Sequence, residues 1–305
     1  MLDLELRRNP RVTVLPRLRS GADLHVHTTH SDGVCSPCEV VTAASLLSLA
    51  AIAITDHDSV SALAVARPEA ERLGVELVSG VEWTAELDGR EVHILGHFFR
   101  DDDPSVVATT MRLRLARIDR LAAMADRLKT LGFFVDLKAL GQAFPRATLG
   151  RRHLAEWLVR TGQAESVRDA FARILGDNGP AQVPKPRLDW REAVALTNAA
   201  GGVAALAHPP FNLRQATLQT LAEGGLGAIE VAGPGINRNL GRRWRGWAEA
   251  MDLIPVAGSD FHAADRPGRR VGAVATPDDD FERLRARSIR GYNLEGRTDR
   301  ATDEC

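Results

Sequence analysis

Cysteine is scarce in this chain, which argues against a fold held together by disulfides. Only 3 cysteines, Cys35, Cys38 and Cys305, occur among 305 residues. Disulfide-dependent domains carry many more, and an odd number cannot pair completely. Cys35 and Cys38 form a C-x-x-C pair, but no second pair accompanies it, so a zinc or redox role is disfavoured. We therefore expect a reducing, cytoplasmic environment.

Long hydrophobic runs and an excess of one charge are also missing. No stretch reaches the roughly 20 apolar residues that span a bilayer, and arginines interrupt residues 1–21, which disfavours a signal peptide. Lys plus Arg total 39 and Asp plus Glu total 40, so the net charge is −1. We expect this chain not to associate with membranes and not to belong to the strongly basic proteins that coat nucleic acid. No glycine-rich loop of the dinucleotide or P-loop kind is present either.

The first hundred residues alternate short apolar strands with helical segments, a pattern typical of a parallel α/β architecture. Ser36, Pro37 and Glu39 supply a cap, a first-turn proline and a capping-box acid, which predicts a helix from residue 37. Asp88-Gly89 between the apolar arms of 83–98 predicts a hairpin. The other predicted elements of this part are strands at 22–26, 51–55 and 75–79 and a helix at 62–73.

From about residue 104 to about residue 200, the apolar residues recur at helical spacing. Within this block, further helices are predicted at 149–160, 166–175 and 190–199. Strand patterns return at 203–207, 228–232, 254–257 and 271–275. The economical organisation is one barrel-like α/β domain, 1–100 with 201–292, interrupted by a helical insert, 101–200, and followed by a flexible tail, 293–305.

Most of the 9 histidines lie beside a carboxylate at the end of a predicted strand. His25 and His27 are two residues apart on one strand, so both imidazoles face the same side, as binding to one metal ion requires. Asp260 and His262 repeat this spacing after a later strand. The other members of the set are Asp32, His57, Glu82, His93 and His208.

These residues are candidate metal ligands because of their joint placement. A single histidine on an apolar strand is more often a hydrogen-bonded core residue than a ligand. The carboxyl ends of barrel strands converge on one mouth, however, so residues from 25 to 262 can meet there. Nitrogen and carboxylate ligands without thiolate suit Zn, Mn or Fe, and a bridging carboxylate suits more than one ion.

The candidate ligands lie in six short segments: ADLHVHTTHSDG, AIAITDHDSVSA, LVSGVEW, EVHILG, AALAHP and VAGSDFH. These segments resemble motifs of the PHP (polymerase and histidinol phosphatase) family, specifically of its nucleotide phosphatase branch. They occur in family order and cover roughly 21–99 and 202–275. The helical insert is similar to that branch at LGRRHLAEWLV and QVPKP.

The resemblance implies a distorted (β/α)7 TIM-like barrel with three divalent ions, Mn, Fe or Zn. Glu82 would bridge ions and, with Asp260, His262 and His57, would form the catalytic group. His262 or His57 could also assist proton transfer. The implied ligand sets are His25, His27, Glu82 and Asp260 for one ion, Glu82, His93 and His208 for a second, and Asp32, His57 and His262 for the third. His30 and His97 match no ligand position, so we expect them to be solvated or hydrogen-bonded.

The implied activity is hydrolysis of a phosphate monoester by a metal-bridging hydroxide. Substrates of the resembled branch include nucleoside monophosphates, 3′,5′-bisphosphates and short RNA ends, so we expect a nucleotide, or short RNA or DNA ends, and no obligate protein partner. The branch shows His-Pro-Gly-Arg-Tyr where this chain has HPPFN at 208–212, so Arg214 is a candidate to replace the missing arginine. The other candidate substrate contacts are Arg151, Arg152, His153 and Lys185.

Other functions stay open at this point. Within the enzyme class, the alternatives are a histidinol-phosphate phosphatase and a 5′–3′ exonuclease-type phosphodiesterase. The helical insert and Asp32, a position that is often histidine in histidinol phosphatases, favour the nucleotide. From another class, the chain could be a non-catalytic, metal-stabilised binding module.

Overall fold

The computed structural model describes residues 19–263 and 269–288. The predicted flexible tail, 293–305, lies outside the described residues. No helix in the described ranges is long and apolar enough to cross a membrane.

Within the described residues, the strands form one sheet that is nearly closed into a barrel. The strands are β1 (Ala22–Val26), β2 (Ala51–Ile54), β3 (Glu76–Leu87), β4 (Arg90–His97), β5 (Leu188–Asp189), β6 (Val203–Leu206), β7 (Ala228–Ala232) and β8 (Ile254–Ala257). Neighbouring strands follow the order β1-β2-β3-β4-β6-β7-β8, and β5 pairs with β3. A bridge between Val26 and Phe261 brings the segment after β8 beside β1.

The expected α/β barrel is confirmed, and its distortion has a visible source. β1, β2 and β3 are parallel to one another, as are β6, β7 and β8, but β4 runs antiparallel to both β3 and β6. The hairpin between β3 and β4 turns at Asp88 and Gly89, as predicted, and both residues have positive φ. The predicted strand at 75–79 and the first hairpin arm are one continuous strand, β3. Gly80 allows that continuity, because a Cβ there would lie 2.4 Å from the backbone oxygen of Ile54.

Helices cover the barrel and fill the segment between β4 and β6. The helices are α1 (Pro37–Leu46), α2 (Ser61–Leu73), α3 (Pro104–Thr130), α4 (Leu137–Ala143), α5 (Arg151–Arg160), α6 (Val167–Ala170), α7 (Trp190–Ala199), α8 (Gln215–Glu223), α9 (Arg238–Ala250) and α10 (Asp278–Arg287). Ser36 caps α1 in a full capping box, and Asp103 and Asp189 cap α3 and α7.

The helical segment expected at 101–200 has a core of its own. Met124 and Leu128 of α3 are fully buried against Leu154 and Leu158 of α5. The helix predicted at 166–175 divides into α6 and a π-helical turn over Phe171–Leu175. This packing positions α5 next to the loop that follows β1.

The strand predicted at 271–275 is wrong. Residues 271–275 form turns and bends, and only Thr276 makes a bridge, to Ala22. Gly272 has a φ of 71°, and its N–H donates to Oδ2 of Asp23 at 2.8 Å. The chain therefore bends to satisfy a buried carboxylate, which the apolar pattern of the segment does not reveal.

Candidate metal centre

The first strand delivers two buried imidazoles to the mouth of the barrel. His25 and His27 are 0% exposed, and their Nε2 atoms lie 3.1 Å apart. Neither nitrogen can be a good partner for the other when both carry lone pairs, so the pair is arranged for a common third group. Gly258 makes room for this arrangement, because a Cβ there would lie 2.4 Å from Cβ of His25.

Glu82 lies at the centre of the cluster. It sits on β3 beyond the end of β2, and it is 1% exposed. Its Oε1 lies 2.7 Å from Nδ1 of His93 and 2.9 Å from Nε2 of His208. Its Oε2 lies 3.1 Å from Nε2 of His27 and 3.1 Å from Nδ1 of His57. The two carboxylate oxygens therefore face different sets of imidazoles, which is the geometry of a bridging ligand.

Asp32, Asp260 and His262 close the other side of the cluster. Nε2 of His262 lies 3.3 Å from Oδ1 of Asp32, and its Nδ1 lies 3.3 Å from Oδ1 of Asp260. The His262 ring stacks on that of His27 with 4.1 Å between centroids. The structure thus brings together all nine residues that the sequence nominates as metal ligands.

Backbone strain accompanies two of these positions. His208 has a φ of 24° and Asp260 a φ of 46°, values that side-chain-bearing residues rarely adopt. Such conformations cost of order 1–3 kcal/mol each and persist where the surrounding structure enforces them. Here they turn the side chains that follow β6 and β8 into the barrel mouth.

The donor set fits divalent cations. Three buried atoms of the cluster, Oε2 of Glu82, Nδ1 of His57 and Oδ1 of Asp32, make no hydrogen bond of acceptable angle, although polar atoms lie 3.1 to 3.3 Å from them. Buried polar atoms are almost always paired, so three such atoms in one place call for a ligand. The ligand atoms of all nine residues fall into four overlapping groups, and within each group every ligand atom lies within 4.8 Å of the others. They are His27, Asp32, His57 and His262; His25, His27 and Asp260; His25, Glu82 and His208; and His57, Glu82 and His93.

The carboxylates of the cluster favour positive charge on His27, whereas burial holds the pKa of His57 well below its ordinary value. Burial alone would raise the pKa of Glu82, but the imidazoles of His93, His57 and His25 hold it well below its ordinary value. Burial alone would lower the pKa of His27, but the carboxylates of Asp260 and Glu82 raise it to about 10. A group of sites that draws a proton this strongly also attracts a metal cation.

Carboxylates behind the cluster orient it, and the most direct one, Glu230, was not predicted from the sequence. Oε1 of Glu230 lies 2.9 Å from Nδ1 of His25, and its Oε2 accepts the backbone N–H of His208. A carboxylate behind a ligating histidine fixes the ring and raises its basicity. The available signal was an acidic residue inside the otherwise apolar strand AIEVA, β7, where a buried charge needs a partner.

Asp56 shapes the loop that carries Asp32. Its carboxylate accepts the N–H of Thr28 at 2.8 Å and the hydroxyls of Thr28 at 2.6 Å and Ser31 at 2.5 Å.

His30 and His97 are buried and hydrogen-bonded, as expected. Nδ1 of His30 lies 2.7 Å from Oγ of Ser61, and Nε2 of His97 lies 2.9 Å from the backbone oxygen of Leu24.

The candidate substrate contacts on the insert occupy different environments. Arg151 pairs with Asp177 at 2.6 Å, and Arg152 pairs with Glu156 at 3.1 Å. His153 is 4% exposed, and its Nδ1 accepts the N–H of Gly150 at 3.0 Å. These three side chains therefore already have partners within α5 and its surroundings.

The other two candidate substrate contacts, Lys185 and Arg214, lie near β4 and not near α5. Nζ of Lys185 lies 3.0 Å from Oε1 of Glu91, which in turn lies 3.1 Å from Nε2 of His93. Arg214 lines a cavity of about 640 Å³ together with Arg90. Arg269, which was not predicted from the sequence, also approaches the cluster, because its Nη1 lies 3.3 Å from Oδ2 of Asp260.

The fold and this cluster together define a metal-dependent hydrolase built on an α/β barrel. The PHP domain family model matches residues 23–149. A 5′-3′ exoribonuclease of Haemophilus influenzae is 33% identical over 248 residues, which cover 79% of this chain and 89% of that protein. A 3′,5′-nucleoside bisphosphate phosphatase of Chromobacterium violaceum is 31% identical over 256 residues, 82% of this chain and 90% of the relative.

A solved structure agrees with these relatives. The chain superimposes with a TM-score of 0.82 and 31% identity on a protein of Bifidobacterium adolescentis described as a metal-dependent phosphoesterase, covering 93% of this chain and 100% of that one. The chain belongs to the PHP family of metal-dependent phosphoesterases.

Proposed function

We propose that this enzyme hydrolyses the phosphate monoester of a nucleotide, either a nucleoside monophosphate or a 3′,5′-bisphosphate, at a centre of three divalent ions. The nine clustered residues would hold the ions, which are Mn, Fe or Zn by their nitrogen and oxygen donors. The observation that carries the proposal is the position of Glu82, whose two oxygens face separate sets of imidazoles. When bound, such ions would polarise a phosphoryl oxygen and lower the pKa of a bound water from ~15.7 towards ~7.

The roles that we assign to the side chains of the cluster depend on their exposure to solvent. Glu82, His25 and His27 are fully buried, so they hold position and exclude water. His57 and His262 are partly exposed, at 15% and 16%, as are His93 at 15% and His208 at 35%. Of these four imidazoles, His57 and His262 are our candidates to pass a proton between the substrate and solvent. Asp260 faces both His27 and His262, which orients the two rings relative to each other.

The second candidate is 5′–3′ exonuclease-type phosphodiester hydrolysis. The relative named 5′-3′ exoribonuclease, at 33% identity, favours it. The same donor set serves either ester, because the ions act on phosphoryl oxygens that monoesters and diesters share. The two activities differ in what binds beyond the reacting phosphate, not in the metal centre.

The test is a substrate panel with protein reconstituted separately with Mn, Fe and Zn. The panel holds an aryl phosphate, AMP, a nucleoside 3′,5′-bisphosphate, histidinol phosphate and a 5′-phosphorylated oligonucleotide. We expect the two nucleotides to be hydrolysed with the highest kcat/KM. Equal rates across the panel, or preference for histidinol phosphate, would contradict the nucleotide assignment. No cleavage of any ester with any metal would favour the binding module.

The role of Glu82 has a matched control on the same strand. Glu82→Gln removes the bridging charge at the cluster, whereas Glu86→Gln removes a charge at a position that is 47% exposed. We expect Glu82→Gln to lose bound metal and all turnover, and Glu86→Gln to keep both. Full activity in Glu82→Gln would refute the bridging role.

A further inference from the structure

A cavity of about 350 Å³ opens beside the metal centre, between the loop after β1 and the helices of the insert. Sites for small molecules range from about 300 to 1,000 Å³, so this volume suits part of a nucleotide. We call it the insert-side pocket, and the lining residues that matter here are Asp32, Val34, Phe144, Arg146, His153 and Arg160.

The insert-side pocket is continuous with the metal centre. Asp32 lines the pocket and also belongs to a cluster group with His27, His57 and His262. By contrast, the 640 Å³ cavity near Arg214 is lined by none of the nine clustered residues. A substrate whose reacting phosphate lies at the cluster therefore reaches the insert-side pocket directly.

The walls of the pocket are tied to each other. The N–H of Thr148, in the insert, donates to the backbone oxygen of His30, in the loop after β1, at 2.9 Å. Gly33 permits the tight path of that loop, because a Cβ there would lie 2.5 Å from the oxygen of His27. The pocket is thus part of the folded connection between barrel and insert.

Two guanidinium groups in this pocket lack a counter-charge. Arg146 and Arg160 are exposed, and in the described part of the chain neither has a carboxylate within 4.0 Å. Arg160 is held 4.8 Å above the ring of Phe144. Glu156, the other acid of the lining, already accepts from Arg152. Guanidinium groups that line one pocket and have no carboxylate partner are suited to a phosphate group.

We propose that Arg146 and Arg160 bind a second phosphate of the substrate, so that the insert-side pocket selects substrates with a phosphate beyond the one that is hydrolysed. This inference rests on the proposed function, because it takes the cluster as the site of the reacting phosphate. The second phosphate belongs either to a nucleoside bisphosphate or to the next linkage of an oligonucleotide.

The experiment compares kcat/KM for five substrates in Arg146→Gln, Arg160→Gln and the double variant. The substrates are a nucleoside 3′,5′-bisphosphate, its two monophosphates, an aryl phosphate and a 5′-phosphorylated dinucleotide. One charge-assisted contact corresponds to about 10- to 100-fold. We expect a loss of that size for a substrate with two phosphates and a change within about threefold for the aryl phosphate. Arg114→Gln, an exposed arginine on α3 that lines neither cavity, is the matched control.

The substrate arms separate the possible results. Loss confined to the bisphosphate assigns the pocket to free nucleotides, and loss confined to the dinucleotide assigns it to a chain phosphate. Equal losses for the aryl phosphate and the bisphosphate would overturn the inference and leave the proposed function standing, since the arginines would then serve the reacting phosphate. Unchanged kinetics in the double variant would also overturn it. Failure of the wild type to hydrolyse any monoester would instead refute the proposed function.

Discussion

A buried ion pair attaches the insert to the barrel, and breaking this pair should lower the free energy of unfolding. Arg117 of α3 is 6% exposed and Asp58, next to His57, is 0% exposed. The Arg117 Nε donates to Oδ2 of Asp58 at 2.9 Å, and its Nη2 donates to Oγ1 of Thr84 at 2.9 Å. Burial alone would raise the pKa of Asp58, but Arg117 holds it below its ordinary value. Asp58 therefore stays charged because the guanidinium is there.

Arg117→Met should lower the free energy of unfolding by about 3–5 kcal/mol, because it leaves Asp58 buried without its counter-charge. Arg112→Met is the control on the same helix. Arg112 pairs with Glu192 at 2.5 Å, but the two side chains are 55% and 48% exposed, and such pairs contribute about 0–1 kcal/mol.

The measurement is urea unfolding of metal-loaded protein at fixed metal concentration, followed by circular dichroism. The double variant Arg117→Met with Asp58→Asn should recover part of the loss, because the unpaired charge is gone. Equal costs for Arg117→Met and Arg112→Met would refute the reasoning. The reasoning would also be refuted if the double variant lost as much unfolding free energy as Arg117→Met and Asp58→Asn lose when their separate costs are added.

Three further predictions concern the metal centre. Chelation should lower the Tm, because ions that bind only the folded state stabilise it by about 2.7 kcal/mol at 100 times their Kd; an identical Tm after metal removal, checked by elemental analysis, would contradict the centre. Glu230→Gln should weaken metal affinity about 10- to 100-fold through His25, as measured by competition with a chromophoric chelator, and unchanged affinity would remove Glu230 from the site. Gly258→Ala should lower metal content and cost about 1–3 kcal/mol, because its Cβ would overlap His25, whereas Gly246→Ala, with open space on α9, should gain up to about 1 kcal/mol in urea unfolding. Normal metal content in Gly258→Ala would show that His25 can move without loss.

Local patterns in the sequence, together with the convergence of barrel strand ends and the resemblance to a known family, predicted the barrel class and the residues of the cluster. His25 and His27 share a face because strand side chains alternate, and the tertiary structure keeps that relation. The turn at Asp88-Gly89 and the cap at Ser36 are likewise properties of a few adjacent residues, and both are present.

Only the tertiary structure decided which distant groups became partners. Glu230 meets His25 across 205 residues, and Arg117 meets Asp58 across 59, and nothing in the residues near either member announces the other. The turn at Gly272 replaced an expected strand for the same reason, because its N–H is needed by Asp23, 249 residues away. Backbone preference and side-chain alternation act over a few residues and can be read from the chain. The pairing of buried charges depends on how elements pack in space, so it is settled only when the whole fold has formed.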